Sequence, residues 1–296
     1  MMPIPFFYTT ALSSRVPLVC SSTSSFPTTV ATPSIWYKPS PTASTNTNNH
    51  NTIGVTVSPA YGGYATFSSS IYSRMWDFSN NGRHLVSTYG FFNYNSTQNS
   101  LPFFECTYNP NGIGNVVEAF GGSFSTMPIT SGRGTLIVVF NPGTRSGAND
   151  VEYNINCGII DASGYGISIV STDQYCEDEY LILAAQNSGP LFSQKVNYGT
   201  WNISVLSFTG SSTAYANRIN GVNGYDNNYT GCIDGVIPGR GLGGGPGIYL
   251  DWQSNKFPDL PVGRGMAEIM WWQNPLTDSQ CSQGETYLKQ KWCIDY

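Results

Sequence analysis

The feature that most limits the fold lies at the end of the chain. There the apolar run Met266 to Trp272, MAEIMWW, passes into a single segment with helical periodicity. A run holding Ile269, Met270, Trp271 and Trp272 is too apolar for a solvated edge, so it predicts a buried strand. Thr277 followed three residues later by Gln280 fits a capping box, and Asp278 suits the positive end of the helix. Cys281, Leu288 and Trp292 fall on one helical stripe, and Lys289 and Lys291 occupy the last turn. A helix following a buried strand is expected to lie across a sheet edge or end and blunt it.

Upstream, short apolar runs alternate with turn residues. Thr135 to Phe140 (TLIVVF) is continuous and apolar between Gly-rich flanks, as in a central strand. YGISIVS, EYLILAA and WNISVLSF repeat the pattern. Asn220-Gly221 between Ile219 and Val222 signals a tight hairpin. PGRGLGGGPG is too rich in glycine for a strand and reads as loop. Many short strands with turns between them predict an all-β, antiparallel β-sandwich with one C-terminal helix. The 296 residues suffice for one large domain, assigned here to 34–296. Residues 1–33 form a Pro/Ser/Thr-rich N-terminal arm. Its apolar residues Ile4, Phe6, Phe7, Tyr8 and Leu12 predict an assembly element that orders on a partner surface.

Composition removes several function classes. Only 13 Lys plus Arg are spread along a chain of net charge −5, which argues against nucleic-acid binding. No apolar run reaches membrane-spanning length. The first twenty residues lack a basic n-region and a clean apolar core, so no standard secretory signal is expected. Seven cysteines without a C-x-x-C pair predict free, mostly buried thiols. Cys281 and Cys293 cannot bond each other along a continuous helix, because twelve residues at ~1.5 Å rise separate them by ~18 Å.

Several stretches together resemble the concanavalin A-like lectin/glucanase superfamily, in the laminin-G-like form found in phage and large-virus structural proteins. SIWYKPS (Ser34 to Ser40) is similar to the opening strand L-W-x-D-A-S, with Lys38 and Pro39 in place of the acidic and small residues. MWDFSNNGRHLVS (Met75 to Ser87) resembles W-x-D-x-S-G-N-G-x-x-L, with Asn80 in a glycine position. VVEAFGGS, WNISVLSF followed by INGVNG, and the closing MAEIMWWQNPLTDSQCSQGETYLKQKW match later elements in order. The resemblance implies a jelly-roll, concanavalin A-like sandwich over roughly Ser34 to Ile294.

Enzymes on such a fold need two carboxyl groups on one face, about 5–5.5 Å apart when configuration is retained. CEDEY, with Glu177 and Glu179, is the sole candidate, and the intervening Asp178 makes it read as a solvated acidic turn. No catalytic residue and no cofactor is therefore expected. Calcium is possible by resemblance, but Asp161, Asp173, Asp226 and Asp251 have no ligand spacing. Asp77 and Asn81 read as a loop-shaping Asx-turn, and His50 and His84 as structural. Aromatic and amide side chains suited to sugars are Tyr225, Asn228, Tyr229, Tyr249 and Trp252. Sequons stand at Asn95, Asn202 and Asn228.

The resulting expectation is a non-enzymatic virion structural protein that decorates or cements a capsid or fibre through its arm. Its partners would be the major capsid or other virion proteins, after assembly in the host cytoplasm. The alternatives are a glycan-binding adhesin contacting host surface glycans, extracellular or at the cell surface, and a glucanase.

Overall fold

A computed structural model describes Cys20 and residues 26–27, 29–38, 71–72, 74–75, 77–83, 85–89, 92–93, 97–106, 117–123, 133–141, 155–162, 165–170, 180–185, 189–197, 199–210, 213–226, 247–254 and 265–296. The arm residues Ile4, Phe6, Phe7, Tyr8 and Leu12 lie outside these, as do Glu177, Glu179, Asn228, Tyr229 and both histidines. Among the described residues the chain is an all-β sandwich with one helix, Asp278–Trp292, at its C-terminus.

The described strand pairings are all antiparallel and form two large sheets and a small two-stranded one, Thr97–Gln98 with Leu101–Pro102. Gly265–Trp272 is central in the first. It pairs with Gly134–Asn141 on one side, and on the other with Ile35–Tyr37 and Phe104–Cys106. Asn202–Gly210 and Thr213–Ile219 extend this sheet outward. All eight residues of Gly265–Trp272 are buried, as the apolar run predicts. The second sheet runs from the edge strand Tyr225–Asp226 through Ile155–Ala162 and Gly247–Ser254 to Arg74–Met75. Gln194 joins the two sheets. Its amide donates to the Val205 carbonyl at 3.1 Å and to Asn217 Oδ1 at 2.9 Å, while its oxygen accepts from Ser204.

Each face of the first sheet is covered. Ile35, Tyr37, Leu136, Val138, Phe208 and Trp271 alternate with the residues beneath the helix and are almost wholly buried. On the helix side, Ile137, Val139, Ile203, Val205, Met270 and Trp272 meet Cys281, Leu288 and Trp292. The cap forms as the sequence predicts, since Thr277 Oγ1 accepts from the Gln280 amide and Gln280 Oε1 accepts from the Thr277 amide. Gly284 permits the close seating. A Cβ there would stand 2.7 Å from Phe26 Cζ and 2.8 Å from Ile137 Cδ1.

Part of the segment assigned to the arm is built into this layer. Phe26 is buried, with ring centroids 5.3 Å from Tyr287 and 5.9 Å from Trp272. The Trp272 indole donates to the Ala31 carbonyl at 2.9 Å. Cys20 is disulfide-bonded to Cys293, which departs from the free-thiol expectation, with Cα atoms 5.1 Å apart. Cys281 is the free, buried thiol that the sequence predicts, and burial pushes it up to about 11.

The hairpin at Asn220-Gly221 has positive φ at both central residues, 51° and 75°, as a type I′ turn requires. Its anchor is less obvious. Asn202 is buried, donates to the carbonyls of Asn197 and Thr200, and accepts from the Asn197 amide and the Asn220 side chain. All four polar positions of this sequon amide are occupied within the fold.

Candidate functional site

Titratable and aromatic groups converge where the first strand meets the last strand and the helix. Ile35–Tyr37 alternates buried, half-buried, buried, and Trp36 turns to the helix side, where it packs against the core and stays partly exposed. Its indole N–H donates to Glu268 Oε1 at 2.6 Å. Glu268 is the lone acid of the buried final strand, and no part of its side chain reaches solvent. Its other oxygen accepts from Lys291 Nζ at 2.5 Å and from the Trp292 indole at 3.0 Å. Three donors thus satisfy one buried carboxylate, the condition under which burying a charge is tolerable.

Lys38 completes the cluster differently. Its ammonium lies 3.8 Å from the centroid of Trp36 and 4.8 Å from that of Phe78. Those rings meet edge to face at 6.2 Å. No carboxylate pairs with Lys38 among the described residues, because Glu268 is committed to Lys291. Burial lowers Lys38 to about 8, the Glu268 charge partly opposes this, and Lys291 adds to it. Trp36, Lys38 and Phe78 are each partly exposed, so this aromatic and cationic rim reaches the surface.

The loop beside the rim is rigid for local reasons. Asp77 Oδ1 accepts from the amides of Trp36 and Ser79, and Oδ2 from the Arg83 amide. Asn81 and Arg83 donate to the Ser34 carbonyl. These contacts form the expected Asx-turn, and Asn80, at the glycine position of the motif, has a φ of 67°. A second cluster, Arg218 with Glu285, Asp278 and Ser282, clamps the helix to the neighbouring strand. Tyr296 adds a hydrogen bond to Glu285.

Of the residues singled out for sugar contact, Asn228 and Tyr229 lie outside the described residues, and the other three stand on two strands that are not neighbours. Tyr225 stands on the edge strand of the second sheet, while Tyr249 and Trp252 stand on Gly247–Ser254. Four strands intervene, roughly 24 Å at ordinary strand spacing. Asp161, Asp226 and Asp251 occupy strands rather than loops. Among the described residues no group of three His, Cys, Asp or Glu could hold a metal ion, and no helix is long and apolar enough to cross a membrane. Sequence reasoning missed the cluster around Glu268. The available signal was a single acid inside a strand predicted to be buried, which demands a cation or several donors.

No protein-family model matches the chain, and no curated protein matches it significantly. Among solved structures, it is similar to a GH54 α-L-arabinofuranosidase soaked with a nitrophenyl arabinofuranoside, at 12% identity and a TM-score of 0.42 over 88% of this chain and 63% of that one. A GH54 enzyme soaked with a cyclic sulfate inhibitor gives 13% identity and a TM-score of 0.41, over 87% and 62% of the two chains. A Trypanosoma rangeli sialidase in complex with sialic acid gives 12% and 0.38, over 74% and 31%. This chain therefore spans about a third of the sialidase and less than two thirds of the arabinofuranosidases. These neighbours are glycoside hydrolases. The expectation of a non-enzymatic virion structural protein is corrected on that finding, and the exclusion of enzymatic activity is withdrawn with it. The exclusion had rested on Glu177 and Glu179, which lie outside the described residues. Identities and TM-scores this low assign no activity to this chain.

Proposed function

We propose that this protein recognises carbohydrate on a concanavalin A-like sandwich, and that its ligand meets the rim formed by Trp36, Lys38 and Phe78. Sugars present apolar C–H faces and hydroxyl edges, so they are held by aromatic surfaces with a few fixed polar groups beside them. The observation that carries the reading is the half-buried pair of rings at the surface, with Trp36 fixed at its indole edge by Glu268 and Lys38 held against both rings. A residue pinned by a buried carboxylate loses little freedom on binding, which favours recognition. The sequence motifs around Ser34 to Ser40 and Met75 to Ser87, which resemble the superfamily, are the ones that build the rim.

The test is calorimetric titration with a panel of neutral and acidic oligosaccharides. Binding at millimolar affinity or better is expected, weakened at least about tenfold by Phe78→Ala, in line with loss of an aromatic contact. The same samples are assayed for new reducing ends, which would extend recognition to cleavage. Absence of binding across the panel, or binding indifferent to Phe78, contradicts the reading.

A further inference from the structure

We propose that Lys38 anchors an anionic group of the ligand, so that the rim selects carboxylated or sulfated sugars over neutral ones. The inference rests on the carbohydrate reading and adds its substrate class. It begins from a charge imbalance. Two lysines, Lys38 and Lys291, act on one buried carboxylate, and Glu268 is already bonded to Lys291, Trp36 and Trp292. That leaves one ammonium without an anionic partner among the described residues, held over two aromatic rings and partly shielded from water. Ring faces attract a cation but do not replace a counter-ion. An incoming carboxylate or sulfate would supply the missing charge, with the exposed parts of the two half-buried rings beside it for the sugar body.

The charged groups facing Lys38 are Glu268 on the final strand and Lys291 on the helix. Those of the adjoining loop, Asp77 and Arg83, act on Tyr37 instead. Burial already holds the amine near 8, so the free site begins to lose its proton just above neutrality. An anion bound beside it must raise that midpoint, and by linkage the anion must bind less tightly as pH rises through it. This coupling separates a true anchor from a lysine that merely packs on a tryptophan.

The experiment uses the full chain with its lysines reductively 13C-methylated, so that Lys38, assigned by Lys38→Met, is followed by NMR. The probes are a galacturonic acid tetrasaccharide, its methyl ester, a sulfated galactan tetrasaccharide, and sodium acetate as the carboxylate alone. At pH 7 the acid is expected to bind at least about tenfold tighter than its ester. The preference should shrink as pH rises from about 7 and be largely lost above pH 9, and the Lys38 midpoint should rise by about one unit on saturation, the shift equivalent to that tenfold coupling. In Lys38→Met the acid-to-ester ratio should fall to about one, and Lys38→Arg should restore it. Comparison of the carboxylated and sulfated arms identifies the anion. Equal binding of the ester, the acid and the sulfated galactan, or a preference for an acidic sugar that survives in Lys38→Met, overturns the proposal. If no oligosaccharide binds but acetate still moves the midpoint, the anion anchor stands and the carbohydrate reading falls. If neither occurs, both fall.

Discussion

Trp36 donates its indole N–H to Glu268 across 232 positions of sequence, and the bond is 2.6 Å long. It fastens the first described strand to the last through a carboxylate that solvent does not reach. The same carboxylate holds Lys291 and Trp292, so strand, strand and helix share one buried charge. Whatever meets Trp36 and Lys38 from outside therefore acts on a frame fixed from within.

Removing that charge should be costly. Glu268→Gln leaves Lys291 largely buried without its partner, and breaking such a pair costs ~3–5 kcal/mol. Denaturant unfolding should show a loss of this size. The double variant with Lys291→Met should recover much of it, because an apolar pair avoids the stranded cation. A loss that is the same with and without Lys291 would mean that the ion pair does not contribute.

The segment around Phe26 should behave as core. Phe26→Ala is expected to cost ~3–5 kcal/mol, the range for truncating a buried aromatic. Gly284→Ala sets two effects against each other. Helix propensity favours alanine by ~1 kcal/mol, while its Cβ would collide with Phe26 and Ile137. The collision should win in the native background and weaken when Phe26 is alanine. A deletion of 1–33 that left the melting temperature unchanged would contradict this packing.

Alkaline pH should unfold the protein through groups raised by burial. Cys281 moves from 9.0 to about 11, and Tyr287 and Tyr296 are raised well above their ordinary value. Their unfolded forms lose protons first, so their stabilisation is complete below pH 9 and is lost as pH climbs through the folded values. Unfolding free energy should fall above pH 9 and steepen above 10. Tyr287→Phe should reduce the steepening, and an unchanged slope in that variant would count against the assignment.

Asn202 should carry no glycan in folded protein despite its sequon, because its amide is spent on Asn197, Thr200 and Asn220. Asn202→Ala should cost at least ~2 kcal/mol, since several buried partners lose their bonds together. Peptide mass spectrometry showing an occupied Asn202 would contradict this arrangement.

What could be read from the sequence was local. Thr277 and Gln280 announce the cap, Asn220-Gly221 the hairpin, and the run ending in Trp272 the buried strand, because each depends on neighbours a few positions away. Asn80 shows a subtler case, in which an asparagine at a glycine position of a motif indicates the left-handed backbone it adopts. The Glu268 cluster was hidden because its partners lie 23, 24 and 232 positions away and meet only through strand order. Phe26 was hidden by its Pro/Ser/Thr surroundings, which read as an arm without a core of its own although one ring packs under the helix. Tyr225, Tyr249 and Trp252 were grouped by chemical type, and type says nothing about the four strands that separate Tyr225 from the other two.

The central claim is that carbohydrate binds at the Trp36 rim. It is tested most directly by following the indole N–H signals of 15N-tryptophan-labelled protein during titration with an acidic oligosaccharide, with Trp36 assigned by Trp36→Phe. The account predicts that the Trp36 signal shifts in a saturable way while that of Trp292, bonded to the same carboxylate from inside, moves far less. Saturable shifts confined to other tryptophans, or no shift at all, would contradict it.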